Sequence, residues 1–360
     1  MIVLRSLQNI GVYNLNVSTT YFGATLLKRW QLWIGILISA FFLWLGLRGL
    51  HLQTVWAAFQ QGNYLWLVPS VGVYFIAVWA RTWRWQYMLR PLKLISIRRL
   101  FPVVVIGYMG NNVYPFRAGE VLRSYVLRRR EKVTMSASLA TVIVERVFDG
   151  LVMLIFVFAA LPLAPLPNNN IRTIVIGASI FFFGALLLFF SLAAMPKRAF
   201  RFAQILINAF IPSRFRPPLL DMTGRFLEGL ESLRSFKMVI MIFITSIVIW
   251  LLETVKYWFV MHAFDFEVSF FALMLMNGVV NLATTIPSAP GYIGTFDAPG
   301  IAVLTMYGVD DAVAIAYTLV LHAALWLPIT LLGIFYMVRE GMGWSDFGRA
   351  SQMTEGQVAP

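Results

Sequence analysis

The sequence predicts an all-α polytopic membrane protein: six full crossings and two re-entrant, broken helical segments, arranged as an inverted repeat. Three observations predict it. First, 59% of the residues are hydrophobic and only 12% charged, with a mean hydropathy of +0.75, whereas soluble domains are near half apolar and a quarter charged. Second, apolar runs long enough to cross a hydrocarbon core of roughly 30 Å recur along the chain, which excludes a β-barrel with its short alternating segments. Third, the formal charge of +13 lies in loops between those runs. That is the positive-inside pattern of membrane helices, not a nucleic-acid-binding face.

Residues 1–29 hold scattered polar groups and no continuous apolar stretch, and read as a cytoplasmic or interfacial leader instead of a signal peptide. The first membrane half, 30–161, has crossings at Trp30–Leu50, Tyr64–Trp83 and Ser138–Leu161, with a broken segment at Leu100–Glu120. The second half, 171–338, has crossings at Ile171–Ala194, Met238–Met261 and Ala312–Val338, with a broken segment at Val268–Gly308. A basic cytoplasmic segment, 196–237, lies inside this half and is expected to be partly helical; 339–360 is a cytoplasmic tail.

Loop charges orient these spans. Lys28 and Arg29 hold the start inside, the loop His51–Asn63 lacks Lys and Arg and is outside, and Arg84, Arg90, Lys93, Arg98 and Arg99 bring the chain back. Arg128, Arg129, Arg130 and Lys132 follow the first broken segment, so it enters from the cytoplasm and returns there. The second is flanked by Asp265, Glu267, Asp310 and Asp311, so it dips in from the outside. Paired Gly/Pro-interrupted segments in corresponding places of two inverted halves are a sequence pointer to a transporter's central site. Ordinary helix kinks are the alternative.

The first broken segment contains Asn111, Asn112, Pro115, Arg117, Gly119, Glu120 and Arg123. Pro115 removes a backbone donor and Gly119 permits unusual φ, so one helix ends here and another begins. Asn111 and Asn112 are suitable partners for the freed backbone. Arg117, Glu120 and Arg123 recur at three-residue spacing, placing Glu between two Arg on one helical face. Guanidinium suits phosphate; a charge ladder at the membrane interface is the other reading. In the third crossing, Glu145, Arg146 and Asp149 fall on one stripe. A single charge at such depth costs about 2.5–3.5 kcal/mol on insertion scales, so pairing is expected. These carboxylates would balance the arginines of the first broken segment or carry a proton or cation. Glu253 and Lys256 form an intrahelical pair or a functional site.

The second broken segment contains Pro287, Ser288, Pro290, Gly291, Gly294, Thr295, Asp297, Pro299 and Gly300, and cannot be one helix. Its amides, with the Ser288 and Thr295 hydroxyls, suit an anionic head group. Asp297 suits an N-cap or a cation or proton site. A tight structural loop is the alternative, since Val268–Ile286 is long enough to span alone. His322 reads as a packed or hydrogen-bonded residue, and Trp79, Trp83, Trp85 and Trp326 as interface belt and core. No cysteine is present and only three histidines, none in an HExxH pair, so no metal site and no cofactor is expected.

With Asn112, Pro115, Arg117, Gly119, Glu120 and Arg123, then the VERVFDG run of Glu145, Arg146 and Asp149, then Pro287, Pro290, Gly291, Gly294 and Thr295 in PSAPGYIGTFD, the sequence resembles the lysylphosphatidylglycerol synthase transmembrane family over roughly residues 30–338. The resemblance implies translocation of an anionic or isoprenoid-type lipid between leaflets: an aminoacylated phospholipid, a polyprenyl phosphate or a hopanoid-type lipid. No soluble aminoacyl-transferase or glycosyltransferase domain follows the last span, so synthase activity is not carried over and the chain is expected not to be an enzyme. A membrane enzyme or accessory subunit acting on a lipid-linked substrate is the alternative, though no rhomboid-like Ser/His pair or GxGD motif is visible. A non-transporting scaffold using the basic segment is another. The expected partners are membrane lipids, anionic phospholipid or polyprenyl phosphate. A homo-oligomer is compatible with this reading, and nucleic acid is not expected. The expected location is a bacterial or archaeal cytoplasmic (inner) membrane, with both termini in the cytoplasm.

Overall fold

The computed structural model describes residues 52–114, 117–160, 195–213, 216–230, 233, 235–286 and 288–342, with helical positions at 33, 36–41 and 44 and scattered ones between 177 and 191. The crossings expected at Trp30–Leu50 and Ile171–Ala194 lie largely outside the described residues. So do the leader, the outer loop 162–170, most of the tail, Pro115 and Pro287.

Every described element is helical. The α-helices are α1 (Leu52–Gln61), α2 (Leu67–Leu89), α3 (Ile97–Val113), α4 (Ala118–Glu131), α5 (Met135–Ala160), α6 (Pro196–Phe210), α7 (Arg216–Gly229), α8 (Phe236–Met261), α9 (Phe270–Ala283), α10 (Asp297–Met306) and α11 (Asp311–Arg339). Short 3-10 turns precede α2 and α10. Three helical stretches, Tyr64–Leu89, Phe236–Met261 and Asp311–Arg339, are long and apolar enough to cross a membrane, by length and composition. The 26-residue α5 has the length, but carries Glu145, Arg146 and Asp149. Their charges have to be met inside the protein.

Two antiparallel helical hairpins replace the two broken segments. In the first, α3 and α4 approach so closely that a Cβ on Gly119 would lie 1.9 Å from the Gly107 carbonyl oxygen and 2.4 Å from the Asn111 nitrogen. Gly119 therefore serves close approach of two backbones. The left-handed conformation expected of it falls instead on Arg117, with φ 52°. In the second hairpin, Gly300 of α10 lies against Met276 and Val280 of α9. The arms have 17, 14, 14 and 10 residues, each below the ~20 of a full crossing. The 14-residue α9 corrects the expectation that Val268–Ile286 could span alone: Thr284, Thr285 and Ile286 already belong to the turn.

The halves pack reciprocally. The middle helices α2 and α8 lie together; α3 of the first hairpin rests on α11, the last helix of the second half, and α9 of the second hairpin rests on α5, the last helix of the first. Ser70 donates to the Lys256 carbonyl, Arg81 to Glu253 and Arg84 to Ser246, so numbers rise along α2 as they fall along α8. This corresponding pair thus runs antiparallel, as an inverted repeat requires. Along α3 and α11 the order is reversed too: a Cβ on Gly333 would meet Met109, while Asn112 donates to Thr330.

The sequence places the end of the second crossing at Trp83, but α2 continues to Leu89 and Arg84 is fully buried. Arg84 is thus not a loop charge. The expected outer loop at His51–Asn63 holds helix α1, packed on α11. The basic segment forms α6 and α7, of which α7 packs on α5, and α6 buries no residue.

Candidate functional site

The ionisable groups of α2, α4, α5 and α8 meet in one buried cluster with two parts. In the closed part, Arg84 donates to Asp149 at 2.6 Å, to Glu145 at 3.3 Å and to Ser246 at 2.6 Å. Arg123 pairs with the other oxygen of Glu145 and stacks over Trp85, its guanidinium carbon 4.3 Å from the ring centre. Trp250 donates to Asp149 at 3.0 Å, and Trp85 to Thr141 at 2.9 Å. Glu145 and Asp149 thus accept from fixed donors on three helices. This answers the desolvation cost of burying them, which only well-made pairing offsets.

The open part faces a cavity of about 140 Å³ between the hairpin tips, on the order of ten times the space that admits one water. Arg81 reaches Glu253 at 3.0 Å, and Glu253 also pairs with Lys256 on its own helix. Glu120 lies 3.5 Å from Arg117 and 3.4 Å from Arg146, which is also 3.6 Å from Asp149. Arg81, Arg117 and Arg146 line the cavity with the single carboxylate Glu253, the phenols of Tyr74, Tyr108 and Tyr292, and Asn111, Asn112 and Asn281. Across the whole cluster six cations (Arg81, Arg84, Arg117, Arg123, Arg146, Lys256) face four carboxylates (Glu120, Glu145, Asp149, Glu253), an excess of two positive charges. Among the described residues five buried side-chain polar atoms lack a hydrogen-bond partner: Nε of Arg84, Arg117, Arg123 and Arg146, and Oδ1 of Asn111. All belong to this cluster or its cavity wall. Unmet buried polar groups are rare in folded proteins, and here they gather in one place, although the Nε of Arg146 still lies 3.4 Å from Glu120.

The tips meet at Arg117. Its guanidinium donates to the Thr284 carbonyl at 3.4 Å and lies 5.8 Å from the Tyr292 ring centre. Arg117 and Tyr292 both hold left-handed backbone, φ 52° and 62°. For residues with a Cβ this costs on the order of 1–3 kcal/mol, and such strain clusters at ligand clamps and switches. A second cavity of about 120 Å³ lies beside the same pair, with Tyr114 and Ser288 in its wall. Asn112 ties the first hairpin to α11: its amide donates to Trp326 O at 3.2 Å and Thr330 at 2.9 Å, and its carbonyl accepts from the Trp326 indole at 3.3 Å.

On the second tip Pro290 opens the short turn and Gly291 and Gly294 supply positive φ, 74° and 81°. Asp297 is the first residue of α10 and not its N-cap; its carboxylate accepts from Gly294 N–H at 2.8 Å and meets His322 at 2.7 Å.

Sequence reasoning and structure agree that Glu145 balances an arginine of the first broken segment, Arg123, that Glu253 pairs with Lys256, and that His322 is a hydrogen-bonded residue; the Arg146–Glu120 pair was not foreseen. They differ on several residues. Arg117, Glu120 and Arg123 do not form one ladder, because Arg117 lies before the helix and Arg123 turns to Glu145. Arg123 does not line the cavity. The Thr295 hydroxyl donates to Tyr292 O within its own turn at 3.1 Å, so of the two hydroxyls only Ser288 faces a cavity. Trp85 is core as expected, but Trp326 lines the cavity. Arg81, Arg84, Tyr108 and Tyr292 were missed as site residues. An arginine pair three residues apart within an otherwise apolar run was the available signal for the first two.

A reciprocal all-helical bundle with spanning-length apolar helices and a charged interior defines a multi-pass integral membrane protein. Residues 32–333 match the family described as Lysylphosphatidylglycerol synthase TM region, and the chain belongs to that family. Similar proteins include a UPF0104 membrane protein of Methanocaldococcus jannaschii, 22% identical over 71% of this chain and 79% of the relative. A UPF0104 membrane protein of Methanothermobacter thermautotrophicus is 24% identical over 77% of this chain and 86% of the relative. Glycosyltransferase AglD of Haloferax volcanii is 24% identical over 71% of this chain but only 46% of its own length. No solved structure matches the chain.

Proposed function

We propose that the protein moves an anionic lipid between leaflets, holding the head group in the cavity between the hairpin tips while the acyl or isoprenoid chains stay in the bilayer. The observation that carries this is the excess of two positive charges in the cavity wall, where Arg81, Arg117 and Arg146 face the single carboxylate Glu253. Buried cations without matching carboxylates favour a bound anion, and guanidinium forks suit phosphate oxygens. The short hairpin arms support re-entrant segments, because non-helical backbone at membrane depth is tolerated only where it is buried in protein or lines a wet cavity.

Arg117, Arg146 and Arg81 contact the phosphate in this reading, Asn111 and Asn112 shape the first tip, and Gly291 and Gly294 the second. The closed cluster of Arg84, Arg123, Glu145 and Asp149 is framework. Purified protein in vesicles containing fluorescent anionic or zwitterionic lipids tests this: anionic probes should cross the bilayer, and Arg117→Gln should abolish it. Equal crossing of both head-group classes, unaffected by Arg117→Gln, overturns the assignment.

The similarity to a protein named Glycosyltransferase AglD favours a second reading, action beside an enzyme on a lipid-linked substrate. An isoprenoid phosphate probe in the same vesicles separates the two cargoes.

A further inference from the structure

The second hairpin tip is held by one histidine. His322 of α11 has Nδ1 2.7 Å from Asp297 Oδ1 and Nε2 2.7 Å from the Gly291 carbonyl. A carbonyl oxygen only accepts, and an ionised carboxylate only accepts, so both ring nitrogens have to carry hydrogen to make both contacts. A neutral imidazole has one N–H. The pair therefore contains one proton more than a neutral histidine beside a carboxylate: an imidazolium and a carboxylate, or an imidazole and a carboxylic acid that donates to Nδ1. Asp297 is buried and His322 nearly so, yet His322 forms part of the cavity wall.

We propose that Asp297 and His322 hold a transported proton between them, and that its release frees the second tip, so that lipid movement is coupled to a proton gradient. This rests on the transport reading above. When the extra proton leaves, the ring keeps a single N–H and one of two contacts turns from attraction to lone-pair repulsion. If Nε2 is bare, Gly291 O loses its donor. If Nδ1 is bare, Asp297 is repelled, and with it the bond from Gly294 N–H. Either loss acts on the left-handed turn that presents Tyr292 to Arg117. The sequence offered Glu145, Asp149 and Asp297 as proton or cation sites, but the guanidinium of Arg84 holds the first two, with Arg123 on one and Arg146 on the other.

The charged groups sharing the cavity with this pair are Arg81 from α2, Arg117 from the first tip, Arg146 from α5 and Glu253 from α8, with the phenols of Tyr74, Tyr108 and Tyr292. Three guanidinium groups and one carboxylate give the cavity wall an excess of two positive charges. An arriving phosphate offsets part of that excess, and with it the repulsion of a further positive charge. Proton and anion therefore bind cooperatively, and linkage makes the effect mutual.

Two measurements test this. Nitrogen-15 NMR of histidine-labelled full-length protein in micelles, assigned with His322→Gln, reads ring protonation without any lipid moving. One histidine with both nitrogens protonated, or hydrogen-bonded to a carboxylic acid, at neutral pH and lost in Asp297→Asn is expected; a neutral ring facing an ionised carboxylate overturns the proposal. In vesicles carrying NBD-labelled phosphatidylglycerol, an imposed pH gradient should change the wild-type rate by about fivefold or more, and His322→Gln should remove that dependence. Lipid movement that ignores the gradient overturns the coupling and leaves transport intact. No lipid movement in wild type overturns the transport reading and the coupling together, and the NMR result then decides the proton site alone.

Discussion

Arg84 and Arg117 are both arginines in the interior of one helical bundle, yet their surroundings differ in kind. Arg84 is fully buried and reaches two carboxylates and a serine hydroxyl at 2.6–3.3 Å. Arg117 is a quarter exposed, has its nearest carboxylate at 3.5 Å, and keeps a strained backbone. The first arginine has its charge met by two carboxylates, with only its Nε left over; the second meets one carboxylate at longer range and borders a cavity. The difference teaches that charge at depth divides into groups that close a framework and groups that border an open cavity.

Removing the framework arginine should have the largest effect. Arg84→Leu leaves Asp149 and Glu145 short of a counter-charge in a dry interior, and breaking one partner of such a pair costs about 3–5 kcal/mol. Thermal unfolding in detergent should show it as a large loss of stability; melting like wild type would erase the distinction drawn here. Gly119→Ala comes next. Its methyl would sit 1.9 Å from Gly107 O, so the first hairpin has to open, at a cost of about 1–3 kcal/mol as for overpacked cores. The same assay reads it, and Gly308→Ala, with nothing within 4 Å but φ 81°, separates steric from backbone strain. Arg117→Gln should behave in the opposite way to Arg84→Leu, changing stability by less than about 1 kcal/mol, as for half-exposed ion pairs, while abolishing lipid movement. The exposed Arg225–Asp221 pair on α7 marks the bottom of the scale; Asp221→Ala should move stability by no more than about 0.5 kcal/mol.

The same contrast explains what could be read from the sequence. Long continuous apolar runs announce α8 and α11 within two residues of their ends, because bilayer thickness leaves few other solutions. Both helical interruptions were legible in the Asn, Pro and Gly that sit there. Asp310, taken from charge as a loop residue, caps α11 by accepting from Ala312 and Val313. Arg84 was misassigned because an arginine near the end of an apolar run has the same signature as a loop anchor. Only its partners, 61 and 65 positions away, make it interior. Arg123 and Thr295 were placed on the ligand for the converse reason: residue type shows what a group can bind, and the fold decides what it has already bound. His322 shows both sides of this. As a lone histidine on an apolar helix it read as packed or hydrogen-bonded without naming a partner, until Gly291 and Asp297 were brought to its two nitrogens.

Transport by this protein requires that the cavity between the tips handle an anionic head group. The most direct measurement is leaflet-to-leaflet movement of fluorescent anionic lipid in vesicles containing wild-type protein, the Arg117→Gln variant, or no protein. Rapid movement with wild type, and vesicle-background rates with a folded Arg117→Gln protein, is the predicted result. Equal movement by wild type and the folded variant, or none above background by wild type for phospholipid and isoprenoid phosphate alike, would contradict it.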